Sequence, residues 1–316
     1  MSNSVNSPQS LDDLYARFDG MHMEGGWHRK FPALWPEPEE NFLPHAWHYA
    51  EVHPVLDAAG SLVSTEFAER RNLTMRNPAQ GNRYATVRTL VAAYQMVKPG
   101  EIAKSHRHTP NALRLILDGR GTSTTVNGNR VEMRPGDVLL TPNWAWHAHE
   151  NAGSEDCYWL DFLDVPMVHL LEPMFFERHP DGLESHVEDV DSSPVAFRWE
   201  DSLAGLERSQ DDAGGLCAAQ IELGDPALET VRLYMQRLVP GATRTMRTTA
   251  NSIFAVVEGH GQTVIGDTVL PWARGDVIAL PAWRAYRHEA ETDSVLLRVT
   301  DKPVFEKLGW LREEIA

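Results

Sequence analysis

From Tyr84 onward the chain breaks into short apolar runs separated by Gly, Pro, Asn and Asp. "TLVAAYQMVKPG", "ALRLILDGRG", "TSTTVNGNRVEMRPGD", "DVLLTPNWAW" and "CYWLDFLDV" follow at close intervals. Apolar runs of this length, bounded by turn residues, read as strands rather than helices. Asn127-Gly128 supplies a two-residue hairpin turn. Many short strands with regular turns predict an antiparallel sandwich or barrel. The pattern then recurs in "YMQRLVPGATRTMRTTANSIFAVVEGHGQTVIGDTVLPWARGDVIALPAWRAYRHEA". Gly100 corresponds to Gly241 and Gly136 to Gly275, at nearly equal offsets, so the block is duplicated.

The predicted fold is therefore all-β, with one barrel over 84–165 and a second over 226–316. Residues 166–225 form an acidic, polar connector with helical potential in "PMVHLLEPMFFERH". Residues 1–83 form an N-terminal arm. Its first ten or so residues are expected to be disordered. Ser10 is placed to cap a short helix through "SLDDLYARFDGMH", with Asp13 completing a capping box. Residues 24–50 are crowded with Trp, Pro and His and read as an irregular packed arm. A further helical signal falls around Ser64–Asn72.

Composition narrows the partners. Of 316 residues, 42% are hydrophobic and 23% charged, as in an ordinary globular protein. The formal net charge of −16 argues against nucleic acid or an anionic membrane as a partner. No apolar run approaches the ~18 residues that span a bilayer. The polar start "MSNSVNSPQS" lacks the pattern of a signal peptide. Two cysteines, Cys157 and Cys217, argue against a disulfide framework and point to a reducing cytoplasm. If the ligand is an anion, positive charge must be concentrated locally against an acidic whole.

The candidate chemistry lies in "PGEIAKSHRHTPNALRLILDGRG". Residues i and i+2 of a strand share a face, so His106 and His108 project together and Arg107 points away. Two imidazoles on one face suit a divalent metal, and His147 in "TPNWAWHAHENAG" is the third candidate ligand. Arg114 shares a strand face with Ala112 and Ile116, opposite Leu113, Leu115 and Leu117. A buried guanidinium without a partner costs several kcal/mol, so either this face is exposed or an anion arrives to pair with it. His149 faces the same cavity as His147 if the strand is regular.

These spacings resemble the two cupin motifs: Gly100, five residues, His106-x-His108 and later Gly119; then Gly136, five residues, Pro142, and His147, three residues, Asn151. Two departures are informative. The usual cupin glutamate ligand falls near Ala112, and the glycine before the third histidine is Trp144. With "HRHTPNALR", "TPNWAWHAH", "WLDFLD", "LPHAWHYAEVHPVLDAAG" and "RRNLTMRNP", the chain resembles gentisate 1,2-dioxygenases and their salicylate and hydroxynaphthoate relatives over nearly its whole length.

The resemblance implies a bicupin, two jelly-roll barrels in tandem, and an extradiol-type ring-cleaving dioxygenase using O2. Three neutral imidazoles leave an octahedral ion its full charge and open positions for a chelating aromatic hydroxy acid and dioxygen. Zinc accepts three histidines but cannot pass electrons, so Fe(II) or Mn(II) is required, and the resemblance favours Fe(II). It also implies that Arg114 contacts the substrate and that Gln95 and Asp161 line or support the site. Arg76, and more loosely Arg71, are candidates for a second anion contact from the arm. His149 becomes a hydrogen-bond donor or proton shuttle.

The second copy is expected to bind no metal: Arg247 and Thr249 stand for His106 and His108, Tyr286 for His147, and His288 for His149. Trp144 and Trp146 read as wall and core. Gentisate is the first expected substrate. A small residue, Val91, where relatives carry an aromatic one, opens the pocket to salicylate or a 5-substituted salicylate such as 5-nitrosalicylate. The same histidines also suit a non-catalytic metal-binding cupin, or an isomerase using zinc or manganese. The family implies a homo-oligomer, often a tetramer.

Overall fold

The computed structural model describes all residues except 1–6, 28–32, 65–67, 69 and 225–227. The chain forms two compact units, Met1–Glu39 and Glu40–Ala316. The first contains the expected helix, Leu11–Gly20. Asp13 N–H donates to Ser10 Oγ at 3.1 Å, while the Asp13 carboxylate accepts from Gln9 N–H at 3.1 Å, one residue before the cap. The expected disorder of the first ten residues falls largely outside the described residues.

The second unit is built from four sheets. The strands Val91–Val97, Ala112–Asp118, Val138–Thr141 and Cys157–Leu163 form one; Ile102–His108, Thr122–Val126, Asn129–Glu132 and His147–Asn151 form the sheet facing it. Consecutive strands alternate between the two sheets, apart from the Thr122–Val126/Asn129–Glu132 hairpin, as a jelly roll requires. Its turn residues Asn127 and Gly128 take φ of 46° and 81°, the left-handed pair that such a hairpin needs. From Arg232–Leu238 to Ser294–Thr300 the same order recurs. The fold is a bicupin.

The barrels pack through one sheet of each. Every residue of Val91–Val97 and of Ser294–Thr300 is buried, because such strands have protein on both faces. Alternate residues divide the work. Ala92, Tyr94, Met96, Leu113 and Leu115 meet Leu233, Met235, Ile253, Ala255 and Leu297 in a single core between the barrels. The intervening residues, including Gln95, Arg114 and Asp161, are left to face the first barrel's interior. Burying each large aliphatic side chain contributes about 1.5–3 kcal/mol, so this shared core is the main mechanical link between the halves.

The duplication starts earlier in the chain than the barrels do. His45–Trp47 pairs with Val277–Leu280 of the second barrel, while Ala196–Phe197 pairs with Val138–Thr141 of the first. A helix follows each, Tyr49–Leu62 and Trp199–Arg208. Each barrel thus lends its leading strand to the other. Asp276 accepts from Tyr49 N–H at 2.8 Å and Asp137 from Trp199 N–H at 2.9 Å, so each helix is capped from the opposite barrel. The glycines before these aspartates have φ of 87° and 88°, and a Cβ on either would come within 2.6 Å of the Tyr49 or Trp199 side chain.

This external capping explains one misplaced element. The helical signal expected around Ser64–Asn72 lies partly outside the described residues, and Arg71–Thr74 is a strand paired with Val91–Val97. The helix sits earlier, at Tyr49–Leu62, with Pro54 inside it. Its start signal is a carboxylate 227 positions away in sequence. The connector is likewise more than a linker: it contributes the helix Val165–Leu171 and the strand Phe176–Arg178. No helix among the described residues is long and apolar enough to cross a membrane.

Candidate metal centre

His106 pairs directly with His147 across two antiparallel strands, and His108 lies two residues along on the same face. The His106 and His108 ring centroids lie 4.3 and 4.9 Å from that of His147. One ligand atom from each ring falls within 4.8 Å of the others. Each Nδ1 meets a backbone carbonyl: Lys104 O at 3.0 Å, Pro110 O at 2.8 Å and Ala145 O at 3.1 Å. A carbonyl only accepts, so Nδ1 carries the proton and each Nε2 is left with a free lone pair. His147 Nε2 is buried with no partner.

Burial, more than anything else, keeps these rings neutral. It lowers His106 to about 4, lowers His108, and holds His147 well below its ordinary 6.5, with Arg114 adding to the effect on His147. Three neutral donors converging on one point, one of them an orphan, fit a divalent ion. Ala112 packs against Thr141 and Leu163 with no carboxylate to offer.

Arg114 follows neither route left open by the sequence. It is only 1% exposed, and its partner is internal. Nε lies 3.3 Å from Asp161 Oδ1, too poorly aligned to count as a hydrogen bond, and Nη1 donates to Thr141 Oγ1 at 2.7 Å. Asp161 also accepts from Trp159 Nε1 at 2.9 Å and from Gln95 Nε2. Gln95, Asp161 and Arg114 thus form one buried network. Burial lowers Arg114 to about 10, against the pull of Asp161. Gln95 Oε1 has no partner.

His149 is buried with neither ring nitrogen hydrogen-bonded, 6.1 Å from the His147 ring. Burial holds it well below its ordinary value, helped by Arg114 and Arg70. Arg70 carries no signal in the sequence that would mark it as a site residue. Its charge is felt at His106, His108, Arg114 and His149, and its Nε is buried without a partner. Arg71, by contrast, is tied to Glu101 and to the Gly60 and Val63 carbonyls, and Arg76 is exposed. Neighbours on an extended chain point opposite ways, so only one of the Arg70-Arg71 pair can face the histidines.

Phe176–Arg178, from the connector, pairs with His106–His108 and brings the Phe176 ring to 5.3 Å from His106. Trp144 and Trp146 are not core. They flank the Arg107 guanidinium, which lies 4.5 and 4.4 Å from their rings.

The second barrel's alignment needs a one-residue correction. Met246 pairs with Tyr286 as His106 pairs with His147, and Trp283 N–H donates to Thr248 O as Trp144 N–H donates to His108 O. Met246 and Thr248, not Arg247 and Thr249, replace the two histidines. The slip falls where the first-barrel strand carries an irregularity between Ala103 and His106. Phe254 stands for Arg114, Arg298 for Asp161 and Gln236 for Gln95.

Known proteins resemble this chain in sequence and in fold. Residues 93–163 match the cupin domain family. The gentisate 1,2-dioxygenase of a Streptomyces species is 36% identical over 96% of this chain and 94% of its own. A 5-aminosalicylate 1,2-dioxygenase from a Comamonas species is 32% identical over 98% of this chain and 92% of its own. Among solved structures, a salicylate 1,2-dioxygenase from Pseudaminobacter salicylatoxidans superposes with a TM-score of 0.87 at 28% identity, covering 98% of each chain.

Proposed function

The chain belongs to the gentisate 1,2-dioxygenase family of cupin ring-cleaving oxygenases, and on that premise we propose that it opens the ring of a gentisate-type hydroxybenzoate, using Fe(II) held by His106, His108 and His147. The observation that carries this reading is the acid-free trio of neutral imidazoles beside the unpaired Arg70 nitrogen. Bound there, Fe(II) supplies the electron relay between an electron-rich ring and dioxygen. The proposed break lies between the carboxyl- and hydroxyl-bearing carbons, so the term extradiol applies only loosely.

The chain's own residues bind and orient. Arg70 Nε is buried with no partner among the described residues, and the guanidinium captures the substrate carboxylate. Arg114 is half neutralised by Asp161, so it adds field rather than a free fork, and Gln95 holds Asp161 in place. Gln95 Oε1 and the His149 nitrogens are further buried, unpartnered groups free to meet substrate oxygens. His149, neutral, donates a hydrogen bond from one nitrogen and accepts a proton at the other. Arg76, being exposed, belongs to this reading only as a contact on the approach to the site.

A second substrate is favoured by one wall. Val91 shares the inward face of its strand with Ala93 and Gln95, and a short side chain there leaves room for a 5-substituent. Steady-state rates on gentisate, salicylate, 5-aminosalicylate and 5-nitrosalicylate decide between them. The first reading expects gentisate to lead; negligible gentisate turnover beside fast cleavage of a salicylate favours the second. Oxygen uptake with none of them, in iron-loaded protein, leaves a metal-binding module. Arg70→Gln is expected to raise KM about tenfold or more with iron content unchanged. Both cysteines are free and buried, which fits a cytoplasmic enzyme, and a homotetramer completes the reading.

A further inference from the structure

The second barrel buries a guanidinium that has no ion-paired carboxylate among the described residues. Arg298 takes the place of Asp161 on the last strand and is 4% exposed. Its Nε donates to Ser252 Oγ at 3.1 Å, and its Nη2 is buried with no partner. The guanidinium lies 5.9 Å from the Tyr234 and Phe254 rings, and no carboxylate among the described residues is ion-paired with it. In the first barrel, the buried guanidinium of Arg114 has Asp161 beside it.

His288 supplies the second group. It packs against Phe254, ring centroids 4.7 Å apart, and burial, reinforced by Arg298, keeps it neutral. Its Nδ1 lies 2.9 Å from Thr263 Oγ1, which also accepts from Trp272 Nε1 at 3.1 Å. Thr263 Oγ1 keeps one proton and one lone pair after that acceptance, and the site proposed below takes the proton as donated to His288 Nδ1. The imidazole proton then sits on Nε2, which is buried and unpartnered. Burial also raises Tyr286 and Cys217, so both stay neutral. Arg298 and His288 thus bring one guanidinium and two unsatisfied nitrogens against the Phe254 ring, while the charges of Asp211 and Asp212 reach Cys217 and that of Glu313 reaches Tyr286. Water can satisfy the two nitrogens but not the guanidinium charge.

We propose that the second barrel binds a small monovalent anion, of chloride or formate size, between Arg298 Nη2 and His288 Nε2. Phe254, Val256, Tyr286 and Leu296 belong to one buried cluster in this barrel, so the proposal is limited to a small ligand. The proposal is independent of ring cleavage: one barrel takes a cation on three imidazoles, the other an anion on one guanidinium and one imidazole.

The test uses the full-length, iron-loaded protein. Crystals grown without halide and soaked in sodium bromide are expected to show an anomalous peak between Arg298 and His288. In solution, sodium bromide at constant ionic strength is expected to raise Tm by about 3 °C, and Arg298→Met to abolish the rise. No anomalous peak there, or a bromide-dependent Tm that persists in Arg298→Met, overturns the proposal. A peak without any Tm dependence counts as binding at crystal concentration only and also overturns it. The bromide map decides by itself if the variant fails to fold.

Discussion

The two barrels share a strand order, a register and an exchanged leading strand, yet their interiors hold different groups. The first collects three neutral imidazoles and balances Arg114 with Asp161. At the same backbone positions the second has Met246, Thr248 and Tyr286, with Phe254 and Arg298 in place of the ion pair. The outward faces carry the fold, because they build the core between the barrels. The inward faces are free to diverge, and one copy brings three histidines together there while the other has Met246, Thr248 and Tyr286.

The strongest way to break this contrast is to graft it. If the backbones are equivalent, Met246→His, Thr248→His and Tyr286→His together install a second site, and metal content rises from about one to about two ions per chain. Metal analysis after anaerobic loading reads this. A variant grafted instead at Arg247 and Thr249, with Tyr286, is expected to gain nothing, since those side chains lie off register.

The next effect concerns the buried charges. Asp161→Asn strands the Arg114 guanidinium and is expected to cost roughly 3–5 kcal/mol of stability in urea unfolding. Arg298→Met abandons no carboxylate, so its cost is expected to stay below about 2 kcal/mol in low-halide buffer. Equal losses from the two would dissolve the distinction between a paired and an unpaired guanidinium.

The third effect is a pH slope. Burial lowers His288 from 6.5 to about 3. Between these values the unfolded chain binds a proton that the folded chain refuses. The contribution is therefore complete above pH 6.5 and is lost as pH falls toward 3, at roughly 1.4 kcal/mol per pH unit. His288→Phe is expected to flatten the acid limb of the urea midpoint against pH; an unchanged limb would show that His288 accepts a proton without penalty.

The barrels, their order and the three histidines were legible in the sequence because strand alternation and hairpin turns are local signals. His106-x-His108 needs only the two-residue repeat of a strand to become a half-site. Whatever depends on distant partners was not legible. The helix Tyr49–Leu62 is capped by Asp276, Arg114 is answered by Asp161, and Phe176 reaches the site by pairing with a strand about seventy positions earlier. The sequence pointed to Arg71 rather than Arg70, because only the strand fixes which of the two turns inward. The second-barrel register failed by one residue because an irregularity in a strand leaves no mark in composition.

The central claim is that His106, His108 and His147 alone hold the redox ion. Iron quantification and oxygen uptake with gentisate, on anaerobically loaded His106→Ala, His108→Ala and His147→Ala beside Met246→Leu, test it most directly. The account predicts that each histidine variant loses bound iron and more than about a hundredfold in oxygen uptake, while Met246→Leu keeps both. Iron retained at the unsubstituted level in any of the three histidine variants would contradict it.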